Sequence, residues 1–321
     1  MISKIKNFLL LSFLMGIAGL ATIIFTVTLI YPTLPDVESL SKYRPKEPLQ
    51  IFTKDNYLIQ EFGEERRDFI AIENVPQKMI NAILAIEDRR FFEHPGIDFI
   101  GIIRAAVKNF TGQSREGAST ITMQVARNFF LSSEKTLKRK INEILLSLKI
   151  ENKLTKEEIL ELYINQIYLG QRSFGFSAAA NTYFNKTLEN LNLAEIALLA
   201  GLPKAPSRYN PLSNPDLAIA RQHTVLNNMY KYGFIDRPSY ILALEEHLDL
   251  VEKNIRYEIQ ADYVAEMVRK VLHDEYGNSI YTSGLKVITT IKKKNQSVAN
   301  QAIENGIINY MNRQPLRIPE G

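Results

Sequence analysis

One ten-residue stretch gathers the groups that could move a proton. Residues 87–96 read Glu-Asp-Arg-Arg-Phe-Phe-Glu-His-Pro-Gly and directly follow the apolar run 79–86. A carboxyl group against apolar surface has its pKa raised toward neutrality, which suits a general base or acid. The alternative is an arginine-rich helix end whose charges are simply solvated. The stretch alone does not decide between a proton-transfer site and such a helix end.

A second segment, Gly117–Gln124, combines small residues with hydroxyl groups and ends in an amide. Glycine and alanine let a backbone approach a ligand closely, while hydroxyl and amide groups offer hydrogen bonds to a polar ligand. The alternative is a turn rich in serine and threonine that caps the helix after it. Both interpretations remain open for this segment taken alone.

A third segment places several cations near one carboxylate. Arg139 and Glu143 are four positions apart and share a helix face, and Lys140 lies beside them. Arg127 and Lys135 precede them. A solvated ladder of ion pairs would stabilise a helix by only about 0.2–0.5 kcal/mol per pair. Four cations around one carboxylate would also suit a departing diphosphate, whose developing charge must be neutralised.

Composition limits the class of protein. The chain has 321 residues, enough for one large or two modest domains, and a formal net charge of only +4. This mild net charge does not indicate a concentrated basic surface, so nucleic acid is not an expected partner. The absence of cysteine excludes a disulfide framework, a thiolate metal site and a cysteine nucleophile.

The amino terminus predicts a membrane anchor. After Lys4 and Lys6, the run Phe8–Ile30 contains no charged residue, and about 20 apolar residues suffice to cross a bilayer. The lysines precede the run, so the amino terminus is expected in the cytoplasm and the rest outside. The alternative is a cleaved signal peptide with a small-residue site at 19–21. We favour the anchor because the apolar run continues well beyond that site.

The remaining patterns divide the chain into an extended part, a helical part and a mixed part. Residues 32–48 are rich in proline, and 49–62 alternate weakly, as a short hairpin does. Residues 75–250 are overwhelmingly helical in pattern, with a capping box predicted at Thr155. After residue 260 the patterns predict a helix, a strand and a further helix.

The order of these motifs resembles that of the peptidoglycan glycosyltransferases, the family 51 glycosyltransferases. The series is Glu-Asp-Arg-Arg-Phe-Phe-Glu-His, Gly-Ala-Ser-Thr-Ile-Thr-Met-Gln, Arg-Lys-Ile-Asn-Glu and Lys-Glu-Glu-Ile-Leu-Glu-Leu-Tyr-Ile-Asn, followed by Ala-Gly-Leu-Pro-Lys-Ala-Pro-Ser. This family forms the membrane-proximal module of class A penicillin-binding proteins. The resemblance covers roughly residues 67–245, and the tail resembles the start of the linker in the 1A-type subgroup.

The resemblance implies a mainly α, lysozyme-like domain behind an N-terminal transmembrane helix. The expected boundaries are a cytoplasmic tip and signal-anchor helix at 1–31, an extended linker with a short hairpin at 32–66, the glycosyltransferase domain at 67–246, and the beginning of a linker region at 247–321. Two Ser-x-x-Lys matches, at 39–42 and 132–135, lack the partner motifs of a transpeptidase. We therefore expect a chain that stops before a transpeptidase domain.

The resemblance also implies the reaction. Glu87 matches the general base, which takes the proton of the acceptor 4-hydroxyl of lipid II. This hydroxyl attacks the anomeric carbon of the growing chain, and undecaprenyl diphosphate leaves with inversion. Glu143 matches a second essential glutamate, which positions or stabilises the donor. The apolar run 99–110 matches a subdomain embedded in the membrane.

Nine further residues are implied as substrate-binding. The basic positions that face the diphosphates are Arg127, Lys135, Arg139 and Lys140. The polar positions that line the donor site are Ser119, Thr120 and Gln124. The residues that shape the site around the base are Asp88 and Arg90. Two positions depart from the family pattern. Ala118 replaces a common glycine, and Met123 replaces a common glutamine, so a polar contact at 123 is not expected.

The implied partners are lipid II, the growing glycan on undecaprenyl diphosphate, membrane lipid and proteins of cell elongation. The implied location is the bacterial inner membrane, with the catalytic domain on the periplasmic side. No cofactor or metal ligand set is expected, although assistance by Mg²⁺ or Mn²⁺ is left open. Two rivals are a lytic transglycosylase, which has no diphosphate to hold, and a non-catalytic membrane scaffold.

Overall fold

The computed structural model describes residues 13–18, 21–22, 25–43, 46–63, 65–110, 119–131, 136–251 and 259–313. The predicted membrane anchor lies partly outside these residues, and its described pieces at 13–18, 21–22 and 25–30 are helical. Among the described residues, no helix has both the length and the apolar character needed to span a bilayer. The anchor therefore stays a prediction.

Helices dominate the part of the chain that carries the motifs, which confirms the mainly α prediction. They are α1 (Gln77–Glu87), α2 (Phe99–Phe110), α3 (Ile121–Phe130), α4 (Leu137–Glu151), α5 (Lys156–Gln166), α6 (Phe176–Phe184), α7 (Leu193–Gly201), α8 (Pro215–Lys231) and α9 (Arg237–Glu245). Short 3₁₀ turns lie at Tyr31–Thr33, Glu38–Lys42, Ile72–Asn74, Leu188–Asn190, Leu202–Lys204 and Gly277–Tyr281.

Local sequence explains where several of these helices begin. Thr155 and Glu158 form the predicted capping box at the start of α5, and Asn192 with Glu195 forms a second one before α7. The Thr120 hydroxyl accepts a hydrogen bond from the third amide of α3. Such caps stabilise a helix by about 1 kcal/mol because they satisfy amides that have no partner within the helix.

The core is organised around α7, which packs against α1, α6, α8 and α9. Residues 194–201 of this helix are all buried, as expected for a helix that is apolar on every side. Because α7 and α8 both contact α1, they fix the position of its last residue, Glu87. The helices α4 and α5 pack against α3 from another direction.

A small sheet joins the two ends of the described chain. Its order is β2-β1-β5, with β1 (Leu49–Phe52) antiparallel to β2 (Leu58–Phe62) and parallel to β5 (Lys286–Ile288). It packs on α10 (Asp262–Tyr276) around a separate core that includes Ile51, Ile59 and Ala265. This pairing brings together two segments that the predicted boundaries keep apart.

Two further elements complete the structure. The two-residue strands β3 (Arg66–Arg67) and β4 (Ser173–Phe174) pair in parallel beside α6. The last helix, α11 (Lys293–Arg313), has no buried residue among those described. It contacts the rest of the chain at Lys293, whose backbone N–H donates to Asp55 Oδ1 at 3.1 Å, and at Asn300, whose side-chain amide donates to the Gln260 carbonyl at 2.8 Å.

Candidate active site

Glu87 is the last residue of α1, and its partly exposed side chain lines a cleft of about 520 Å³. The Gln124 amide of α3 donates a hydrogen bond of 2.8 Å to Glu87 Oε2. This contact crosses from the end of one helix to the first turn of another. Among the described residues, Oε1 has no hydrogen-bond partner, so this oxygen is available to accept a proton from a ligand.

The surroundings of Glu87 raise its pKa above the usual range of a glutamate. Burial of the carboxyl group is the largest cause, and the neighbouring charge of Asp88 acts in the same direction. The Gln124 hydrogen bond and the cations Arg221 and Arg127 oppose this rise. A carboxyl group whose pKa is raised by burial is a suitable proton acceptor near neutral pH.

Asp88 is buried and holds the loop after α1 against α3. Its carboxylate accepts hydrogen bonds of 3.0 Å from the Ile121 backbone N–H and from His94 Nε2. Since the Gly96 N–H donates to His94 Nδ1 at 3.2 Å, the ring proton lies on Nε2. The Thr120 hydroxyl adds a bond of 2.6 Å to the Gly96 carbonyl. The loop and the start of α3 are thus fastened together beside Glu87.

Lys156 fastens the same loop from its other side. Its Nζ donates at 2.7 Å to the His94 carbonyl and to Glu151 Oε1, and it lies 4.4 Å from the Phe91 ring centroid. Glu151 also accepts a bond of 2.5 Å from the Thr122 hydroxyl. Lys156 and Glu151 are both largely buried, with side chains 18% and 9% exposed. This contact network, the loop clamp, consists of Phe91, His94, Thr122, Glu151 and Lys156.

Arg90 and Arg104 share one carboxylate. Arg90 Nη2 forms a short ion pair with Asp98, and Arg104 Nη2 lies 3.8 Å from the other oxygen of Asp98. Arg104 and Asp98 line the cleft, whereas Arg90 does not. Arg90, which was predicted to contact the substrate, is therefore connected to the cleft through its ion pair with Asp98.

Glu143 is almost fully buried and is neutralised by its neighbours in α4. It accepts a bond of 2.5 Å from Arg139 Nη1 and one of 2.8 Å from Lys140 Nζ. Lys140 Nζ also donates to the Ser119 hydroxyl at 2.7 Å, and Ser119 lines the cleft. Glu143 itself does not line the cleft. It is connected to the cleft through Lys140.

The predicted site residues fall into three groups. Those that line the cleft are Glu87, Asp88, Ser119, Thr120, Gln124 and Arg127. Those adjacent to it through side-chain contacts are Arg90, Arg139, Lys140 and Glu143. Lys135 lies outside the described residues, so its predicted role stays a prediction. The described site residues thus either line one cleft or are linked to a lining residue through side-chain contacts.

The cleft has a second wall that the sequence interpretation missed. Arg221, Thr224 and Asn228 project into it from α8, with Tyr232 just after this helix and Lys204 from the preceding turn. The first three are spaced as i, i+3 and i+7, so they share one face of the helix. This polar stripe was visible in the sequence, but it is also typical of a solvated helix face.

The fourth motif, residues 156–165, mainly fixes the backbone at residues 70–72 through hydrogen bonds. The Asn165 side chain bonds the N–H and carbonyl of Ile70 at 2.9 and 2.8 Å, and Glu161 accepts from the Ile72 N–H at 2.8 Å. Tyr163 is buried, and its hydroxyl has no hydrogen-bond partner among the described residues. Burial raises the pKa of Tyr163 well above its usual value.

Within the described ranges, no group of three or more histidine, aspartate or glutamate side chains is placed to hold a metal ion. The independence from cofactors and metals that the resemblance implies remains an expectation, as does assistance by Mg²⁺ or Mn²⁺.

Comparison with known proteins identifies relatives over most of the chain. The profile of the family described as "Transglycosylase" matches residues 55–230. Penicillin-binding protein 1A of Neisseria meningitidis is 50% identical over 293 residues, which cover 91% of this chain and 36% of the relative. The Pseudomonas aeruginosa protein of the same name is 47% identical, with coverages of 90% and 35%.

One solved structure completes this comparison. The crystal structure of penicillin-binding protein 1A from Haemophilus influenzae is 33% identical, with a TM-score of 0.49, and the match covers 86% of this chain and 31% of that one. The chain thus spans about a third of the length of the curated relatives that it matches.

Proposed function

This chain belongs to the transglycosylase family, as the order of its motifs predicts, and we propose that it is a peptidoglycan glycosyltransferase that polymerises lipid II. The observation that carries the proposal is the Glu87 carboxyl group, which has a raised pKa and lines a cleft rich in cations. A base and an anion-binding surface in one cleft fit the transfer of a glycan from a diphosphate carrier.

In the proposed step, Glu87 takes the proton from the 4-hydroxyl of the acceptor lipid II. The hydroxyl oxygen forms a new bond to the anomeric carbon of the donor chain while the bond from that carbon to the diphosphate oxygen breaks. The electron pair leaves with undecaprenyl diphosphate, and the configuration inverts. The Gln124 bond to Oε2 orients the carboxylate so that Oε1 meets the hydroxyl.

The charges of the cleft support a diphosphate as the leaving group. Among the described residues, five cations line it, Arg89, Arg104, Arg127, Lys204 and Arg221, against the three carboxylates of Glu87, Asp88 and Asp98. Anionic phosphate oxygens are bound by arginine and lysine through short, charge-assisted hydrogen bonds. Stabilising charge as it develops on the departing oxygen would lower the barrier.

Glu143 is proposed to act on the donor side through its cationic neighbours. By accepting bonds from Arg139 and Lys140 it fixes both side chains, and Lys140 in turn contacts Ser119 at the cleft. The contacts of Lys135 with the donor remain part of this proposal. In this role Glu143 positions cations and does not itself transfer a proton.

The proposed location is the periplasmic face of the bacterial inner membrane. Several apolar side chains of α2 are exposed, namely Phe99, Ile100, Ile103 and Val107, and burial in lipid would remove this surface from water. The lipid-linked substrate would then reach the cleft from the membrane. Partners among cell-elongation proteins also remain a proposal.

The test is the polymerisation of labelled lipid II by the parent protein, by Glu87→Gln and by Glu93→Gln. Glu93 is exposed in the same loop and provides a matched control for the loss of a carboxylate. We expect long glycan products from the parent and the control but not from Glu87→Gln. Equal products from the parent and Glu87→Gln would disprove the assignment of the base.

A second assay separates the rivals. Digestion of isolated cell-wall sacculi with release of anhydro-sugars would identify a lytic transglycosylase, whereas binding of lipid II without turnover would identify a scaffold. The cations that line the cleft argue against the lytic reaction, because this reaction releases no diphosphate.

A further inference from the structure

The cations near the cleft differ in whether a carboxylate already neutralises them. Those with an ion pair are Arg90, Arg104, Arg139 and Lys140. Among the residues that the structure describes, Arg89, Arg127, Lys204 and Arg221 have no carboxylate within 4.0 Å, yet all four line the cleft. These four side chains carry the positive charge that an anionic ligand could neutralise.

Of these four, Arg221 is the one whose side chain donates a hydrogen bond to another described residue. Its Nε donates a hydrogen bond of 3.2 Å to the Gly201 carbonyl at the end of α7. Its guanidinium carbon lies 5.8 Å from the centroid of the Tyr209 ring. Among the described residues, neither terminal nitrogen has a hydrogen-bond partner. The guanidinium group is therefore anchored at one edge, and its other edge is available at the cleft wall.

Gly201 leaves the space through which this side chain passes. A Cβ atom at this position would lie 2.9 Å from Arg221 Cγ, closer than carbon atoms approach without a shift. The other nearby atoms, Val225 Cγ2 and the Arg221 carbonyl carbon, would be at ordinary contact distances of 3.6 and 3.8 Å. Gly201 has a φ of −78°, which any residue adopts. The glycine is thus required by the arginine and not by the backbone.

We propose that Arg221, seated over Gly201, is a further substrate-contacting residue whose terminal N–H groups bind an anionic oxygen of the diphosphate-linked substrate. The inference rests on the proposed function for the identity of this anion. The Ala-Gly-Leu-Pro-Lys segment then serves the same cleft twice, since Gly201 admits Arg221 and Lys204 supplies a second cation.

The electrostatics of the cleft agree with this role. Arg221 is the first of the cations that lower the pKa of Glu87, ahead of Arg127. Burial lowers the pKa of Arg221 itself, because a cation away from water is disfavoured unless an anion accompanies it. A phosphate oxygen beside Arg221 would supply this anion while leaving Glu87 free to take its proton.

The experiment compares Arg221→Gln, Arg221→Lys and Gly201→Ala with the control Arg208→Gln. Arg208 is exposed and lies at the same 5.8 Å from the Tyr209 ring, but it does not line the cleft. Two quantities are measured for each full-length variant in detergent: binding of inorganic pyrophosphate by titration calorimetry, and kcat and KM for lipid II polymerisation.

We expect Arg221→Gln to lower the affinity for pyrophosphate about 10- to 100-fold. We expect kcat/KM for lipid II polymerisation to fall by about the same factor, the usual effect of losing a hydrogen bond to a charged group. Arg221→Lys should keep part of both, since lysine keeps the charge but loses the planar anchor. Gly201→Ala should resemble Arg221→Gln, and combining the two should add little. The melting temperature of each variant is measured alongside, because an added methyl group costs stability where its neighbours cannot shift.

Two results would overturn the inference. One is pyrophosphate binding and kcat/KM in Arg221→Gln equal to those of Arg208→Gln. The other is a Gly201→Ala protein with unchanged binding. A parent protein that binds pyrophosphate through Arg221 but never polymerises lipid II would instead refute the proposed function and leave the anion contact standing.

Discussion

Gln124 and Glu87 lie 2.8 Å apart, amide nitrogen to carboxylate oxygen, although they are held by different helices. This hydrogen bond opposes the effect of burial on the Glu87 carboxyl group. The base is therefore controlled by two opposing causes that can be changed separately. The predictions below start from this pair and extend to the residues that hold it.

Gln124→Ala should shift the pH dependence of the reaction. Losing the amide removes a hydrogen bond to the charged form, so the pKa of Glu87 rises further. Because a general base acts when deprotonated, the acidic limb of the kcat profile should move to higher pH. Gln60→Ala, which removes the same side chain from β2 at a residue that does not line the cleft, serves as the control. An acidic limb that stays in place would show that this bond does not influence the base.

Glu87→Gln should make the protein more stable at neutral pH. The folded-state pKa of Glu87 lies above the unfolded value, so folding favours the protonated form and stability falls as pH rises through the folded pKa. Glutamine removes this cost. The melting temperature of the variant should exceed that of the parent at pH 7, and the difference should vanish below about pH 4, where both states are protonated. Equal melting curves at pH 7 would contradict this prediction.

Lys156→Met should destabilise the protein by about 3–5 kcal/mol, because it leaves the buried Glu151 carboxylate without its cation. The matched control is Lys153→Met, which breaks an exposed ion pair with Glu38 and should change stability little. Urea unfolding measures both. Adding Glu151→Met to the first variant should recover part of the loss, since no unpaired charge then remains. A double variant no more stable than the single one would argue against the ion pair as the cause.

Glu143→Gln should lower kcat by roughly 100-fold, the scale seen when one preorganised electrostatic group is lost. The variant keeps the volume of the side chain but no longer neutralises Arg139 and Lys140, so both can move away from the donor side. Glu157→Gln, an exposed change in α5, should leave kcat unchanged. Steady-state polymerisation of lipid II measures both. An unchanged kcat in Glu143→Gln would show that Glu143 does not contribute to the reaction.

Local patterns predicted the elements of this fold better than the contacts between them. The capping box at Thr155 depends on four neighbouring residues and could be recognised directly. The role of Arg221 depends on Gly201 and on how α7 and α8 pack, and no local pattern reports that packing. Likewise, the hydrogen bond from Lys140 to Ser119 links two motifs whose spacing in the sequence does not predict that they are in contact.

The candidate site shows the same limit. The motif around Glu87 predicted a carboxyl group against apolar surface, and burial does raise its pKa. The sequence could not show that Asp88 bonds the Ile121 amide and His94, because those contacts depend on where the loop returns to α3. It also could not show that Asp98 stands between Arg90 and the cleft.

The parallel pairing of Gln50 with Lys286 has a consequence for biosynthesis. The hairpin of β1 and β2 leaves the ribosome early, whereas β5 follows only after every helix of the catalytic domain has been made. Until then one edge of β1 has no partner and can pair with another chain. Rapid folding of the helices, which bring the distant segments together, would shorten this interval of exposure. Closing the small sheet can therefore follow only after all the helices between β2 and β5 have been made.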